Sequence, residues 1–286
     1  MIFSFFKSTK LPQISFAFLA SISVLFFNSS LELDILFFSS FLIYLTTFLL
    51  CILIISKNLY YISSNFSCFA LIYFAFFLTE SEIKVLVYLS SFFLIFALRK
   101  IYLLSSEKRI NAKLFDIGFW FAISVFSCSY SILFTPTFLF GIFLFYKINI
   151  KVLLKVLTGL LAAVLVFFFV NNLLLGNEIH INSLTFSKIH TPLLDNQLIF
   201  MLFFITVLFL FYLLRNLSNN LKTRTYNLFM TVYFLNSMAL VLISKDFLIF
   251  LFFPFLISFS NIISKLKHKL IFEISSILII FIIHYL

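Results

Sequence analysis

Residues 98–120 read LRKIYLLSSEKRINAKLFDIGFW, the only long polar interruption in the first half of a 286-residue chain. Arg99, Lys100, Lys108, Arg109 and Lys113 stand here against Glu107 and Asp116, and apolar runs lie on either side. Lys and Arg resist translocation through a bilayer, so a short basic loop between two apolar runs stays in the cytoplasm. Fixing this loop inside sets the direction of every crossing before and after it.

The composition supports a membrane reading. Hydrophobic residues make up 63% of the chain and charged residues 10%, and the mean hydropathy is +1.19, outside the range of soluble globular proteins. No stretch is long and polar enough for a separate soluble domain, so residues 1–286 are expected to form one transmembrane domain. The 47 Phe come with only 4 Gly, 4 Pro and 1 Trp. An A+T-rich coding sequence gives that bias, and Phe is read as a generic lipid-facing and packing residue. The net charge of +10 is scattered over short loops rather than gathered on one face, which argues for membrane orientation and against nucleic acid. Cys51, Cys68 and Cys128 are odd in number and lack CxxC spacing, so neither a disulfide framework nor a zinc site is expected.

Outward from the central loop, the apolar runs number off as helices. Lys7 and Lys10 precede a run over 14–27 that has the layout of a signal peptide without a small-x-small cleavage site, and it is read as an uncleaved first helix with its N-terminus inside. Runs at 36–55, 66–78 and 85–98 follow. Residues 114–146 are apolar throughout, far longer than the roughly 20 residues of one crossing. A single crossing would put Lys147, Lys151 and Lys155 outside. A hairpin of two short helices turning near 129–136 keeps both basic clusters inside, and that is the expectation. Runs at 152–170, 198–214, 228–243, 247–263 and 270–286 complete an all-α, polytopic transmembrane bundle of about 11 helices, N-terminus in and C-terminus out. In this map 17 of the 20 basic residues lie inside, and only Lys84, Lys188 and Lys245 lie outside.

No Asp, Glu, Lys or Arg falls at the middle of an apolar run, which argues against ion-coupled transport. Gly118, Gly141, Gly159 and Gly176 are read as too dispersed for a carbonyl-lined filter or a small-xxx-small packing seam. Chemistry is expected at the outer face, where seven of the ten acids lie. Glu32 with Asp34, and Glu80 with Glu82, form i, i+2 pairs on short loops and are the candidate catalytic residues. Such pairs hold a divalent cation on a lipid phosphate or act as general base toward an acceptor hydroxyl, and they are equally what an outer loop purged of Lys and Arg collects by default. Arg99, Lys100, Lys108, Arg109 and Lys113 are the candidate lipid-headgroup ligands. His180 and His190 match no metal-ligand spacing, and no cofactor is expected beyond that cation. Asp116 and Trp120 are read as an anchor, the acid in a first helical turn and the indole at headgroup level. Pro136 and Pro254 each end or bend a helix. Pro254 frees a carbonyl that a neighbour must satisfy, and Thr135 and Thr137 are candidates for that task at Pro136. No Walker A, GxGxxG, HExxH or GxSxG pattern is present.

Two stretches, MIFSFFKSTKLP and ALRKIYLLSSEKRINAKLFDIGFW, resemble a family of multi-pass inner-membrane proteins of unknown function from Bacteroidetes-type bacteria. Arg99, Lys100, Lys108, Lys113, Phe115, Asp116 and Trp120 stand at the matching places. A looser resemblance is to membrane glycosyltransferases that use polyprenyl-phosphate sugars, with Glu32 or Asp34 at the acceptor-activating place and Glu80 or Glu82 at the second. About eight residues join the first two spans, where such enzymes have a long outer loop with interfacial helices. The resemblances imply an envelope-biogenesis protein of the bacterial inner membrane, acting on a lipid-linked sugar at the outer face. The alternative is a non-catalytic scaffold or subunit of a larger membrane complex. Membrane lipids are the expected partners in either case.

Overall fold

A computed structural model describes residues 11–28, 35–58, 66–78, 84–106, 108–175, 196–216 and 221–265. Among these residues there is no strand, and the α-helices are α1 (Leu11–Asn28), α2 (Ile35–Asn58), α3 (Ser67–Leu78), α4 (Val85–Leu104), α5 (Ile110–Ser127), α6 (Thr135–Phe145), α7 (Ile150–Leu175), α8 (Asn196–Asn216), α9 (Leu221–Ile243) and α10 (Phe252–Lys265). Two 3-10 segments, η1 (Ser129–Phe134) and η2 (Lys245–Leu251), lead into α6 and α10. The expected last helix, 270–286, lies outside the described residues. Among the described residues seven helical segments, the continuous η2–α10 stretch being one, are long and apolar enough to cross a membrane, the build of a multi-pass membrane protein. Residues 12–25, α3 and the η1–α6 segment are apolar but shorter.

Charged residues do not end these helices where hydropathy alone places the ends. Helix α4 runs on from Leu98 to Leu104, and α5 starts at Ile110 rather than 114. Lys and Arg are good helix formers, and their long stems carry the charge to the headgroup level from inside the last turn. In consequence Asp116 sits in the second turn of α5, where the helix dipole contributes little, and its partner is a lysine of α4 (below).

The chain divides into two compact units, Lys84–Ile189 and Met1–Ile83 with His190–Leu286. In the first, contacts fix the direction of each helix. Ser90 faces Ser124, Phe93 and Phe96 stack on Trp120 at 5.6 and 5.2 Å, and Lys100 meets Asp116, so α4 and α5 are antiparallel. Ser90 also meets Ser131, and Tyr102 meets Phe145 at 5.7 Å, so η1–α6 runs parallel to α4. Asn111 bonds Lys155, and Phe126 stacks on Phe167 at 4.5 Å, so α7 runs parallel to α5. The apolar run therefore leaves along α5, turns through η1 and returns along α6, the doubling-back that the two basic clusters require.

The packing of α5 on α7 corrects one reading. A Cβ on Gly118 would lie 2.1 Å from the Val156 carbonyl oxygen, and a Cβ on Gly159 would lie 2.1 Å from that of Phe115. The two helices cross backbone to backbone at these glycines. Ala122 and Ala163, each four residues further on, are buried beside them. This is a small-xxx-small seam on both helices, and association in lipid favours it because close backbones gain dispersion contacts. Two such positions per helix are sufficient, so the scarcity of glycine in the chain did not exclude it.

The second unit is organised on α10. Every residue from Phe247 to Ile263 is buried, as expected of a helix with neighbours on all sides. Phe69 stacks on Phe259 at 5.9 Å, Tyr73 on Phe255 at 6.1 Å, and Phe74 meets Phe252 at 5.0 Å, so α3 and α10 are antiparallel. Phe204 of α8 adds a ring against Tyr73. Aromatic pairs of this kind contribute about 0.5–1.5 kcal/mol each beyond their buried area. Some of the 47 Phe thus make a specific core and not merely a lipid-facing coat.

Both prolines have identified compensation. Pro136 lies in the first turn of α6 and cannot donate to Ile132, and Thr135 Oγ1 donates to that carbonyl at 2.5 Å. Pro254 is not at mid-helix: the expected run 247–263 is split into η2 and α10, and the proline stands in the first turn of α10. Its missing N–H leaves the Phe250 carbonyl, and Ser237 Oγ of α9 lies 3.2 Å from it, sharing its one proton between that carbonyl and the Tyr233 carbonyl of its own helix at 2.9 Å.

Candidate functional site at the basic end of helices α4 to α7

Because α4 and α6 end where α5 and α7 begin, the basic residues of 99–113 and 147–155 gather at one end of the unit Lys84–Ile189. The sequence separates the clusters by more than 30 residues, and the hairpin brings them together.

Local chemistry builds the end. Lys113 Nζ donates to the Leu103 carbonyl at 2.6 Å, to the Ser106 carbonyl at 2.5 Å and to Ser106 Oγ at 2.8 Å. The Leu103 carbonyl also accepts from the Ser106 N–H and Oγ, so the cation joins a turn that already closes the end of α4, and it complements the negative end of the helix dipole. Arg109, the residue before α5, has φ 52° and ψ 43°. That left-handed conformation costs a non-glycine residue about 1–2 kcal/mol, and it turns the chain sharply enough for Lys113 to reach back onto α4. Lys100 Nζ and Asp116 Oδ2 form an ion pair at 2.5 Å between half-buried side chains. Asn149 Oδ1 accepts from the Val152 N–H at 3.0 Å and caps the start of α7, while Lys155 bonds Asn111.

The expected headgroup ligands are thereby sorted. Lys100 and Lys113 have intramolecular partners. The side chains of Arg99, Lys108 and Arg109 make no ion pair or hydrogen bond with a described residue, nor do those of Lys147 and Lys151, whose part in the sequence was orientation alone; all but the half-buried Arg99 are exposed. Trp120 stacks between α4 and α5 on Phe93 and Phe96, so its place is in the helix packing rather than only at headgroup level.

A second polar cluster lies deeper in the same unit. Ser90, Ser124 and Ser131 are fully buried, with Oγ–Oγ distances of 2.8 Å from Ser90 to Ser124 and 2.5 Å from Ser90 to Ser131. Each hydroxyl has one proton, and the carbonyls of Ser124 and Ser90, 3.0 Å from the Oγ of Ser90 and of Ser124 respectively, are the alternative acceptors. Hydroxyls bonded to each other and to backbone, with no base among these partners, hold α4, α5 and η1 together in apolar surroundings. Nothing in the spacing of the serines along the sequence announces this cluster, because the fold pairs them.

Glu32, Asp34, Glu80 and Glu82 lie outside the described residues, as do His180, His190, His268 and His284. Among the described residues no group of three His, Cys, Asp or Glu is placed to hold a metal ion, and Cys51, Cys68 and Cys128 are buried free thiols. No protein-family model, curated protein or solved structure matches this chain.

Proposed function

We propose that this chain is a non-catalytic scaffold subunit of a bacterial inner-membrane complex, with the basic end of α4 to α7 in the cytoplasmic leaflet. The observation that carries this reading is how its buried and half-buried polar groups are used. The serine cluster, the Lys100–Asp116 pair, the Lys113 cap and the Ser237–Phe250 bond each join one helix to another, which is the chemistry of a rigid framework. Helix α7 adds a surface for a neighbour. Beyond the glycine crossing, each residue from Val164 to Val170 is exposed although Phe167 still stacks on Phe126, and lipid or a partner helix covers this apolar stretch. Purification from native membranes in a mild detergent tests the proposal. A stoichiometric membrane partner is expected, and substitution of the outer acids leaves function in place. A monodisperse single protein with acid-dependent activity overturns it.

The second reading is an envelope-biogenesis enzyme of the glycosyltransferase type, taking a polyprenyl-phosphate-linked sugar at the outer face. It rests on the two i, i+2 acid pairs in short segments between apolar runs. Here Asp34→Asn and Glu80→Gln abolish function while membrane abundance is unchanged, and full complementation by both single variants removes the enzyme reading.

A further inference from the structure

We infer that the two basic clusters of the unit Lys84–Ile189 form a single seat for a phospholipid that presents two phosphates, one to each cluster. The seat consists of Arg99, Lys108 and Arg109 on one side and Lys147 and Lys151 on the other. The inference goes beyond the scaffold reading, since whether a partner subunit exists has no bearing on it.

The frame that holds the clusters together is fixed at three places. Tyr102 and Phe145 join the ends of α4 and α6, Asn111 and Lys155 join the starts of α5 and α7, and the Gly118–Gly159 crossing locks α5 against α7. In that parallel register Lys151, one turn before Lys155, falls at the level of the turn that precedes Ile110 and carries Lys108 and Arg109. The acid described at this end, Asp116, is already held by Lys100. Among the described residues no acid faces Arg99, Lys108, Arg109, Lys147 or Lys151, and five cations outnumber the one further acid of this stretch, Glu107, which lies outside them; a rim with that excess of positive charge binds external anions. Arg guanidinium forks match phosphate oxygens bidentately, and Lys supplies compact point charges.

The apolar surroundings select a lipid over a free anion. Ile150, Leu154, Leu157 and Leu161 recur at helical spacing along α7 and are 75, 55, 49 and 54% exposed, so an apolar strip leads directly away from Lys147 and Lys151. A headgroup held at the rim lays its acyl chains along that strip, whereas inorganic phosphate gains nothing from it. Basic sites between transmembrane helices at the cytoplasmic side bind diphosphate lipids by this combination.

The test uses the purified full chain in nanodiscs or detergent, with lipid retention read by native mass spectrometry. Cardiolipin, phosphatidylglycerol at equal phosphate, and inorganic phosphate are the three probes. Cardiolipin is expected to be retained at least about tenfold better than phosphatidylglycerol. Each Lys→Ala change in the seat weakens it by about fivefold, following the contribution of one basic residue near an anionic surface. The double variant K147A/K151A brings cardiolipin down to the phosphatidylglycerol level, and R224A in the other unit leaves the preference unchanged. All these positions are at the surface, and matching thermal unfolding establishes that the variants are folded. Equal retention of the two lipids by the native chain overturns the seat. So does a full preference in K147A/K151A, or competition by inorganic phosphate at lipid-equivalent concentration.

Discussion

Gly118 of α5 and Gly159 of α7 meet so closely that a Cβ on either one would lie 2.1 Å from the backbone carbonyl of the residue opposite, Val156 or Phe115. Backbone cannot move aside as a flexible side-chain tip does. The helices must separate to admit a methyl group, and separation loosens the Asn111–Lys155 bond and the Phe126–Phe167 stack along the same seam.

Gly118→Ala and Gly159→Ala are therefore each expected to lower stability by about 1–3 kcal/mol, the usual cost of overpacking. The double variant should cost less than the sum of the two, because one separation of the helices accommodates both methyl groups. Thermal unfolding in detergent, read by near-ultraviolet circular dichroism, measures this. Strict additivity would mean that the two glycines do not share one crossing.

Ser237 and Pro254 form a coupled pair. Ser237→Ala leaves the Phe250 carbonyl without its side-chain donor and is expected to cost about 1 kcal/mol. Pro254→Ala restores an N–H one turn beyond that carbonyl, so Ser237→Ala made in the Pro254→Ala background should be close to neutral. A double-mutant cycle on unfolding free energy checks it, and equal costs in both backgrounds contradict the assignment.

Asn261 of α10 is fully buried, and neither its Nδ2 nor its Oδ1 has a partner among the described residues. Ser67 Oγ is likewise buried and without a partner among the described residues, and the antiparallel register of α3 on α10 puts it at the level of Asn261. A buried amide without hydrogen bonds carries a desolvation penalty of about 1–3 kcal/mol. Asn261→Leu keeps a similar volume and is expected to raise the midpoint of thermal unfolding. A lowered midpoint would show that the amide has a partner in the membrane.

Lys113→Met retains the apolar stem and removes the cation from the end of α4. Amide hydrogen exchange in residues 101–106 should quicken while exchange in the middle of α4 is unchanged, since the lysine acts on the last turn. Uniform protection across α4 would mean that its carbonyls are satisfied without Lys113.

Much of this fold was legible in the sequence because a bilayer imposes few solutions. Apolar runs gave the helices, and the tendency of Lys and Arg to stay on one side predicted the turn near 129–136, where η1 now stands. Thr135 was legible as the residue compensating Pro136, because the freed carbonyl lies one helical turn before the proline. Ser237 was not, because its carbonyl belongs to a different helix and only the fold joins them. The GxxxA spacing of Gly118 with Ala122 and of Gly159 with Ala163 was present in the sequence, and counting glycines over the whole chain hid it. The joining of Lys147 and Lys151 to Arg109 was implied by the hairpin, but their lack of partners emerged only once Lys100, Lys113 and Lys155 had been given theirs.

Residues 110–146 leave along one helix and return along another, so that both basic clusters share one end. Single cysteines at Lys108 and Asn149, introduced after Cys51, Cys68 and Cys128 are replaced by alanine, test it most directly with a membrane-impermeant thiol reagent applied to sealed vesicles of each orientation. The account predicts that both sites are labelled from the cytoplasmic side and neither from the other. Labelling of the two sites from opposite sides would contradict it.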